Sequence, residues 1–286
     1  MRGVARCACR PAKFRLQRGE ITDDVGGFVI CGELQVRLLG DFEVLADGVP
    51  VARWRAGKAR NLLQYLITRR DTVVSRDTLS EVLWPGEGKS PGSSSLKVAA
   101  HALRKALAEG PLMSGVRVDY QDFGYVLRAP GVWVDCEAFR GHAARGFTVE
   151  QRGDRAAAVR EYKAAAALYR GPFLPTEEAR WAETERAWYQ STSLKVVQRL
   201  ATLAIKGGDD FGAIEWCRRA SEIDPYNEHT YRLMMQLHGK RGDLGMALKW
   251  YSVCESRLHD ELGVPVSGET RSVLSSVMRR CDVATS

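Results

Sequence analysis

The 286-residue chain is short of the features that mark several large protein classes. No run reaches the ~18 consecutive apolar residues that a membrane span needs, so no membrane partner is expected. The seven cysteines, at 7, 9, 31, 136, 217, 254 and 281, are odd in number and follow no framework spacing. A reduced cytosolic interior is expected rather than a disulfide scaffold. Cys7-x-Cys9 has no nearby histidine and no second cysteine pair, which argues against zinc. The basic N-terminus has no apolar stretch after it, so it is not a secretory signal. Gly88-Lys89-Ser90 echoes the end of a phosphate loop, but Leu83 stands where the earlier glycine is required. Ser94-x-x-Lys97 matches a short acyl-enzyme motif without that motif's partner segments. No clustered acid, base, nucleophile or metal set remains, so the chain reads as a non-enzyme without cofactor or metal.

What the chain does have is unevenly placed positive charge. The net charge is +7. Between Arg53 and Ala108 stand eleven Lys and Arg against four acids, a surplus equal to that of the whole chain. The first 18 residues add six cations and no acid, which leaves the remainder net acidic. A basic block beside an acidic remainder suits a nucleic-acid-binding module joined to a protein-facing module.

Residues 1–33 show no period and read as a disordered tail or as residues upstream of the true start. From Gln35 the pattern alternates: Val36 and Leu38, then Phe42 and Val44, with Asp47-Gly48 as a hairpin turn and Val51 opening a third strand. Gly57 to Arg70 reads as a helix burying Leu62, Leu63, Leu66 and Ile67. Lys58 and Arg60 lie near its start, where the helix dipole disfavours cations and an outside anion would compensate. Thr72-Val73-Val74 is extended, and Ser75 caps a second helix with Leu79, Val82 and Leu83 inward. Trp84-Pro85-Gly86 ends it. A third helix starts at Ser90-Pro91 or at Ser93 and stops by Gly110-Pro111. Val116, Val118, Tyr120, a turn over 121–124, then Tyr125 and Leu127 form a hairpin. Strands, three helices and a hairpin make a winged helix with an N-terminal sheet.

The third helix carries the candidate site. Leu96, Ala100, Leu103 and Leu107 give it a buried side. At about 100° per residue the opposite side presents Ser94, Lys97, Val98, His101 and Lys105, flanked by Arg104. That side has cations, small residues and no carboxylate, as a helix lying against a polyanion requires. Ser75, Arg76, Arg53, Arg55 and Lys58 are the further candidates for DNA contact. Trp54 reads as a core anchor between exposed cations.

The second half repeats itself. Gly153-Asp154, Gly208-Asp209 and Gly242-Asp243 each precede, by the same interval, Ala158, Ala213 and Ala247. Gly208 and Gly242 stand 34 residues apart, the tetratricopeptide period. Gly153 and Gly208 stand 55 apart, so an insertion separates them, placed at Arg170 to Tyr189. The small alanine fits a point where two helices approach closely. Asp224-Pro225 closes one repeat. Trp181 and Trp188, seven apart on one helical face, read as core or inter-repeat packing. A stack of helix pairs with a concave groove is expected.

The segments VRLLGDFEV, GKARNLLQYLI, VVSRDTLSEVLW, SSSLKVAAHALRKAL and FGYVLR, followed by YRGPFLP, WAETER and CESRLHDELGVPVSGET, resemble the Streptomyces antibiotic regulatory protein family. The resemblance implies a response-regulator-type winged helix-turn-helix over 34–130 and an all-α, tetratricopeptide-like bacterial transcriptional activator domain over 131–286. It implies a cytoplasmic, nucleoid-associated activator of a biosynthetic gene cluster. The implied partners are double-stranded promoter DNA, RNA polymerase with its sigma factor, and a second copy bound head-to-tail on a direct repeat. The sequence departs from the family at Ala102, where members often carry arginine, and at Val98, where a polar residue is common. A bidentate guanine contact is thereby lost, and packing on a thymine methyl is the open alternative. The other function that the residues leave open is a repeat-based adaptor or ligand sensor without sequence-specific DNA binding.

Overall fold

The computed structural model describes residues 34–51, 57–86, 92–108 and 115–284, the side chains of 92, 93 and 281–284 excepted. The first half comprises β1 (Leu34–Arg37), β2 (Glu43–Ala46), β3 (Val49–Pro50), α1 (Lys58–Ile67), β4 (Val74–Ser75), α2 (Arg76–Leu83), α3 (Gly92–Ala108), β5 (Arg117–Gln121), β6 (Gly124–Arg128) and β7 (Trp133–Val134). Two sheets result, ordered β3-β2-β1-β7 and β4-β6-β5. The expected order of strands, three helices and hairpin is present.

Local chemistry explains the turns. Asp47 and Gly48 take φ of 51° and 77°, the left-handed pair that a two-residue hairpin needs. This turn returns the chain at once to pairing, Ala46 opposite Val49, so the third strand begins at Val49 rather than at Val51. The Ser75 hydroxyl accepts the Thr78 N–H at 3.1 Å and starts α2 as expected. α3 begins at Gly92, so Ser93 lies within it, while Ser90 and Pro91 fall outside the described residues. β7 was not foreseen: it joins β1 in parallel, Gln35 opposite Trp133 and Val36 opposite Val134. A two-residue strand leaves no periodicity to read.

The second half is helical: α4 (Asp135–Gln151), α5 (Arg155–Leu168), α6 (Arg180–Lys206), α7 (Asp210–Ile223), α8 (Glu228–Lys240), α9 (Leu244–Ser256), a π turn over Arg257–Glu261, and α10 (Gly268–Ala284). α4 packs on α5, α6 on α7 and α8 on α9, and α10 folds back on α8 and α9. The repeated Gly-Asp pair has a mechanical origin. Gly153, Gly208 and Gly242 take φ of 85°, 79° and 77°, which ends one helix in the left-handed region. Asp154, Asp209 and Asp243 then accept the N–H groups of Ala157, Gly212 and Met246 at 2.9, 2.8 and 3.1 Å, capping the next helix. Ala158, Ala213 and Ala247 are fully buried at the helix contacts.

The insertion between the first two repeats is a clasp on the N-terminal sheet. Gly40 N–H donates to the Pro172 carbonyl at 3.0 Å, and Leu174 N–H donates to the Leu38 carbonyl at 2.9 Å. Buried Phe173 stacks on Tyr189 and meets the edge of Trp181, which in turn meets Tyr65 of α1 at 5.0 Å between ring centroids. Trp181 therefore packs inward as expected. Trp188 does not: it is 43% exposed, with the Arg140 guanidinium over its ring. From Arg180 on, the inserted residues are the first turns of α6.

One apolar core runs from Leu34 through α1, α3 and β6 into α4, α5 and α6 as far as Ile223. Position 130/131 falls within the span of that core. Beside it lies Asp135, 1% exposed, at the first turn of α4. Its carboxylate accepts the Leu38 N–H at 2.8 Å and the Leu39 N–H at 2.9 Å, with the Arg170 guanidinium 3.6 Å away. Burial pushes this carboxyl up to about 6, against the lowering effect of those two N–H groups and of Arg170.

Candidate nucleic-acid interface

α3 is held by its apolar side. Leu96, Ala100, Leu103 and Leu107 are buried against α1, α2 and the wing. Ser94, Lys97, Val98, His101, Ala102, Arg104 and Lys105 are exposed. The expected face therefore exists as a continuous surface, with no carboxylate on the helix itself. Val98 stands out on it at 68% exposure.

The other candidates are placed differently from one another. Arg104 turns to the wing: its Nε donates to the Val118 carbonyl at 2.8 Å, and its guanidinium lies 5.8 Å from the Tyr125 ring centroid. It ties α3 to the β5–β6 hairpin. Lys58 sends its ammonium to the Leu83 carbonyl and over the Trp84 ring, so it closes the C-terminus of α2. An internal acceptor, the negative end of α2, thus takes the place of the outside anion expected at this cation. Arg60 lies over the Phe42 ring. Ser75 is exposed but spends its hydroxyl on the cap. The Arg76 backbone N–H donates to the Phe123 carbonyl at 3.3 Å, which seats the wing tip on the start of α2. Arg53, Trp54 and Arg55 lie outside the described residues, as do Lys89 and Ser90.

The wing adds a residue that sequence reasoning missed. Asp122 and Phe123 take φ of 48° and 60° in a two-residue turn between β5 and β6. A Cβ on Gly124 would stand 2.4 Å from the Val74 carbonyl oxygen, so only glycine lets the wing reach β4. Phe123 is consequently projected at 82% exposure. The only signal in the sequence was an aromatic inside a turn. Behind it, Tyr120 leans on Tyr125 edge to face, and Arg117 pairs with Asp119 at 3.0 Å.

Elsewhere, a cavity of about 350 Å³ opens between α6, α8 and α10, lined by Leu233, Leu237, Val273 and Val277 with Lys240 and Arg280 at its rim. Among the described residues no group of three or more His, Cys, Asp or Glu is arranged to hold a metal ion. No helix among them is long and apolar enough to cross a membrane.

The family described as the bacterial transcriptional activator domain matches residues 134–278. That described as the C-terminal domain of transcriptional regulatory proteins matches residues 55–127. The transcriptional regulatory protein MoaR1 of Mycobacterium bovis and that of Mycobacterium tuberculosis are each 24% identical over 252 residues, covering 87% of this chain and 80% of theirs. The structure of Mycobacterium tuberculosis EmbR in complex with a low-affinity phosphopeptide superposes with a TM-score of 0.67 at 23% identity. That likeness covers 87% of this chain but only 65% of EmbR, and it bears on the fold alone. With a winged helix in front and the activator domain over half its length, the chain belongs to the bacterial transcriptional activator domain family and is a DNA-binding transcriptional activator of the Streptomyces antibiotic regulatory protein type.

Proposed function

We propose that this activator reads promoter DNA in the major groove through Ser94, Lys97, Val98, His101 and Lys105 of α3, and that it has no catalytic activity. The observation that supports the reading is the exposed, carboxylate-free, cationic face of α3 on a winged helix. The phosphate backbone would be met by Lys97 and Lys105 and by Arg53, Arg55 and Arg76. Arg104, Lys58 and Ser75 act one step back: they fix the wing, the end of α2 and its start, and thereby the pose of α3. The repeat module takes the protein-facing role. It contacts RNA polymerase with its sigma factor, and it meets the basic winged helix of a second copy head-to-tail on a direct repeat. The promoters are those of a secondary-metabolite gene cluster, and the protein works in the cytoplasm at the nucleoid. These last assignments rest on the family.

The test is a footprint of the full-length protein on the promoters flanking its own gene, repeated across a salt series. A protected segment whose affinity falls steeply with salt is expected, because each neutralised phosphate releases counterions. Absence of any protected segment, or affinity insensitive to salt, overturns the reading.

A further inference from the structure

Resting on the reading of α3 as the major-groove helix, we infer that Val98 determines specificity by packing on a thymine methyl group at the centre of each half-site. Three observations carry this. First, Val98 is 68% exposed although it lies on a well-packed helix. Its neighbours one turn away, Ser94 and Ala102, are too short to cover it. Second, the site is one where local preference opposes valine. A β-branched side chain is a poorer helix former than alanine, and an exposed isopropyl group gains nothing from water. A locally unfavourable residue at the middle of a binding face is what a contact made only in the complex produces. Third, the same face holds no Arg, Asn or Gln apart from Arg104, whose Nε is engaged with the Val118 carbonyl. Of the side chains that read guanine or adenine through paired hydrogen bonds, only lysine therefore remains beside Val98. In the major groove the one apolar group that a base pair offers is the C5-methyl of thymine. Lys97 and His101 flank Val98 and supply the polar contacts, so the apolar contact selects thymine between them.

The experiment uses the full-length protein and a pool of random-core 25-bp duplexes, from which bound sequences are enriched. The enriched duplex is then remade with deoxyuridine replacing each thymidine in turn, which removes one methyl and keeps every hydrogen bond. At one thymine per half-site the replacement is expected to weaken binding about three- to ten-fold, the worth of roughly one buried methyl group or a little more. Val98→Ala is expected to bind the unmodified duplex more weakly by a similar factor and to be indifferent to that same replacement. The uridine arm uses the unaltered protein and so does not depend on how the variant folds. Affinity within two-fold for every uridine duplex overturns the inference while sequence-specific binding stands. So does a uridine loss that persists in full in Val98→Ala. Failure to enrich any sequence overturns the inference together with the DNA-reading role on which it rests.

Discussion

Asp135 Oδ1 lies 2.8 Å from the backbone nitrogen of Leu38, 97 residues earlier in the chain. The same carboxylate takes the Leu39 N–H, so the start of the activator domain caps the end of β1. These two buried N–H groups are not paired within the sheet, and one side chain satisfies both. Asp135→Ala leaves two buried N–H groups without an acceptor, at about 1–3 kcal/mol each. We expect a clear fall in the urea midpoint, reported by probes in both halves. A fragment ending at residue 130 lacks β7, Asp135 and the Phe173 clasp, and should be less stable than the same residues in the full chain. Equal midpoints for Asp135→Ala and the parent would show that the latch contributes nothing.

The same residue sets a pH dependence whose sign follows from its burial. The folded carboxyl sits at about 6, above its ordinary 3.8. The folded state therefore holds a proton that the unfolded chain has released. Stability from this group is fully present below about pH 4 and is lost as pH rises through 6, by up to about 3 kcal/mol. Glu150, whose carboxyl the bound Arg199 holds below the usual range, works in the opposite direction on acidification. Comparing urea midpoints of the parent and Asp135→Asn isolates the first effect. The advantage of the parent over the variant should shrink between pH 4 and pH 6 and then level off. A difference constant with pH contradicts the assignment.

The winged-helix order and the helical repeats were legible in the sequence because both rest on local signals. Periodic leucines mark α1 and α3, and Gly-Asp marks each repeat through a left-handed end and a side-chain cap. The candidate face of α3 was legible for the same reason, since burial of one side of a helix fixes the other. What escaped was long-range. β7 has two residues, Asp135 reads as any N-terminal helical acid, and the Gly40–Pro172 bond joins segments with no shared pattern. The internal partners of Lys58 and Arg104 were equally invisible, because counting charge does not show where a long side chain turns. Phe123 escaped because exposure of an aromatic depends on where the turn points.

Gly124→Ala tests whether the wing must dock on β4. The added methyl would meet backbone atoms of Val74 at 2.4 and 2.9 Å, which no rotamer change relieves. We expect loss of the β4–β6 pairing, a lower melting temperature and weaker DNA binding, with the repeat helices intact by circular dichroism. Unchanged melting and binding would mean that the hairpin adapts without cost.

The lysines of α3 and Arg104 should separate by salt dependence. Lys97→Ala and Lys105→Ala each remove one exposed cation and should reduce the slope of log affinity against log salt by about 0.9. Arg104→Ala removes the tie to Val118 and should loosen the wing, lowering thermal stability while also weakening binding. His101→Ala should relax selectivity at one base position, a cost of about 1–3 kcal/mol. If the lysine variants keep the parent's slope, α3 is not the face that meets phosphate.

The last prediction concerns how two copies share an operator. One recognition helix covers a single major-groove segment, and its phosphate contacts are screened by salt, so one copy should bind modestly. A second copy on the same side of the duplex raises affinity by making the second contact effectively intramolecular. A two-fold dimer needs a self-complementary strip and an inverted site. The exposed residues of α3 and the wing offer cations and isolated apolar side chains rather than such a strip. Head-to-tail contact, which the resemblance to the Streptomyces antibiotic regulatory protein family implies, instead places half-sites as a direct repeat with centres about 10–10.5 bp apart. The protein should be monomeric or weakly dimeric by sedimentation without DNA, and should bind the repeat cooperatively. Inserting about 5 bp between half-sites puts the second copy on the opposite side of the duplex and should abolish cooperativity, and a full-turn insertion should restore part of it. Affinity unchanged by the half-turn insertion would leave a protein that binds one site alone.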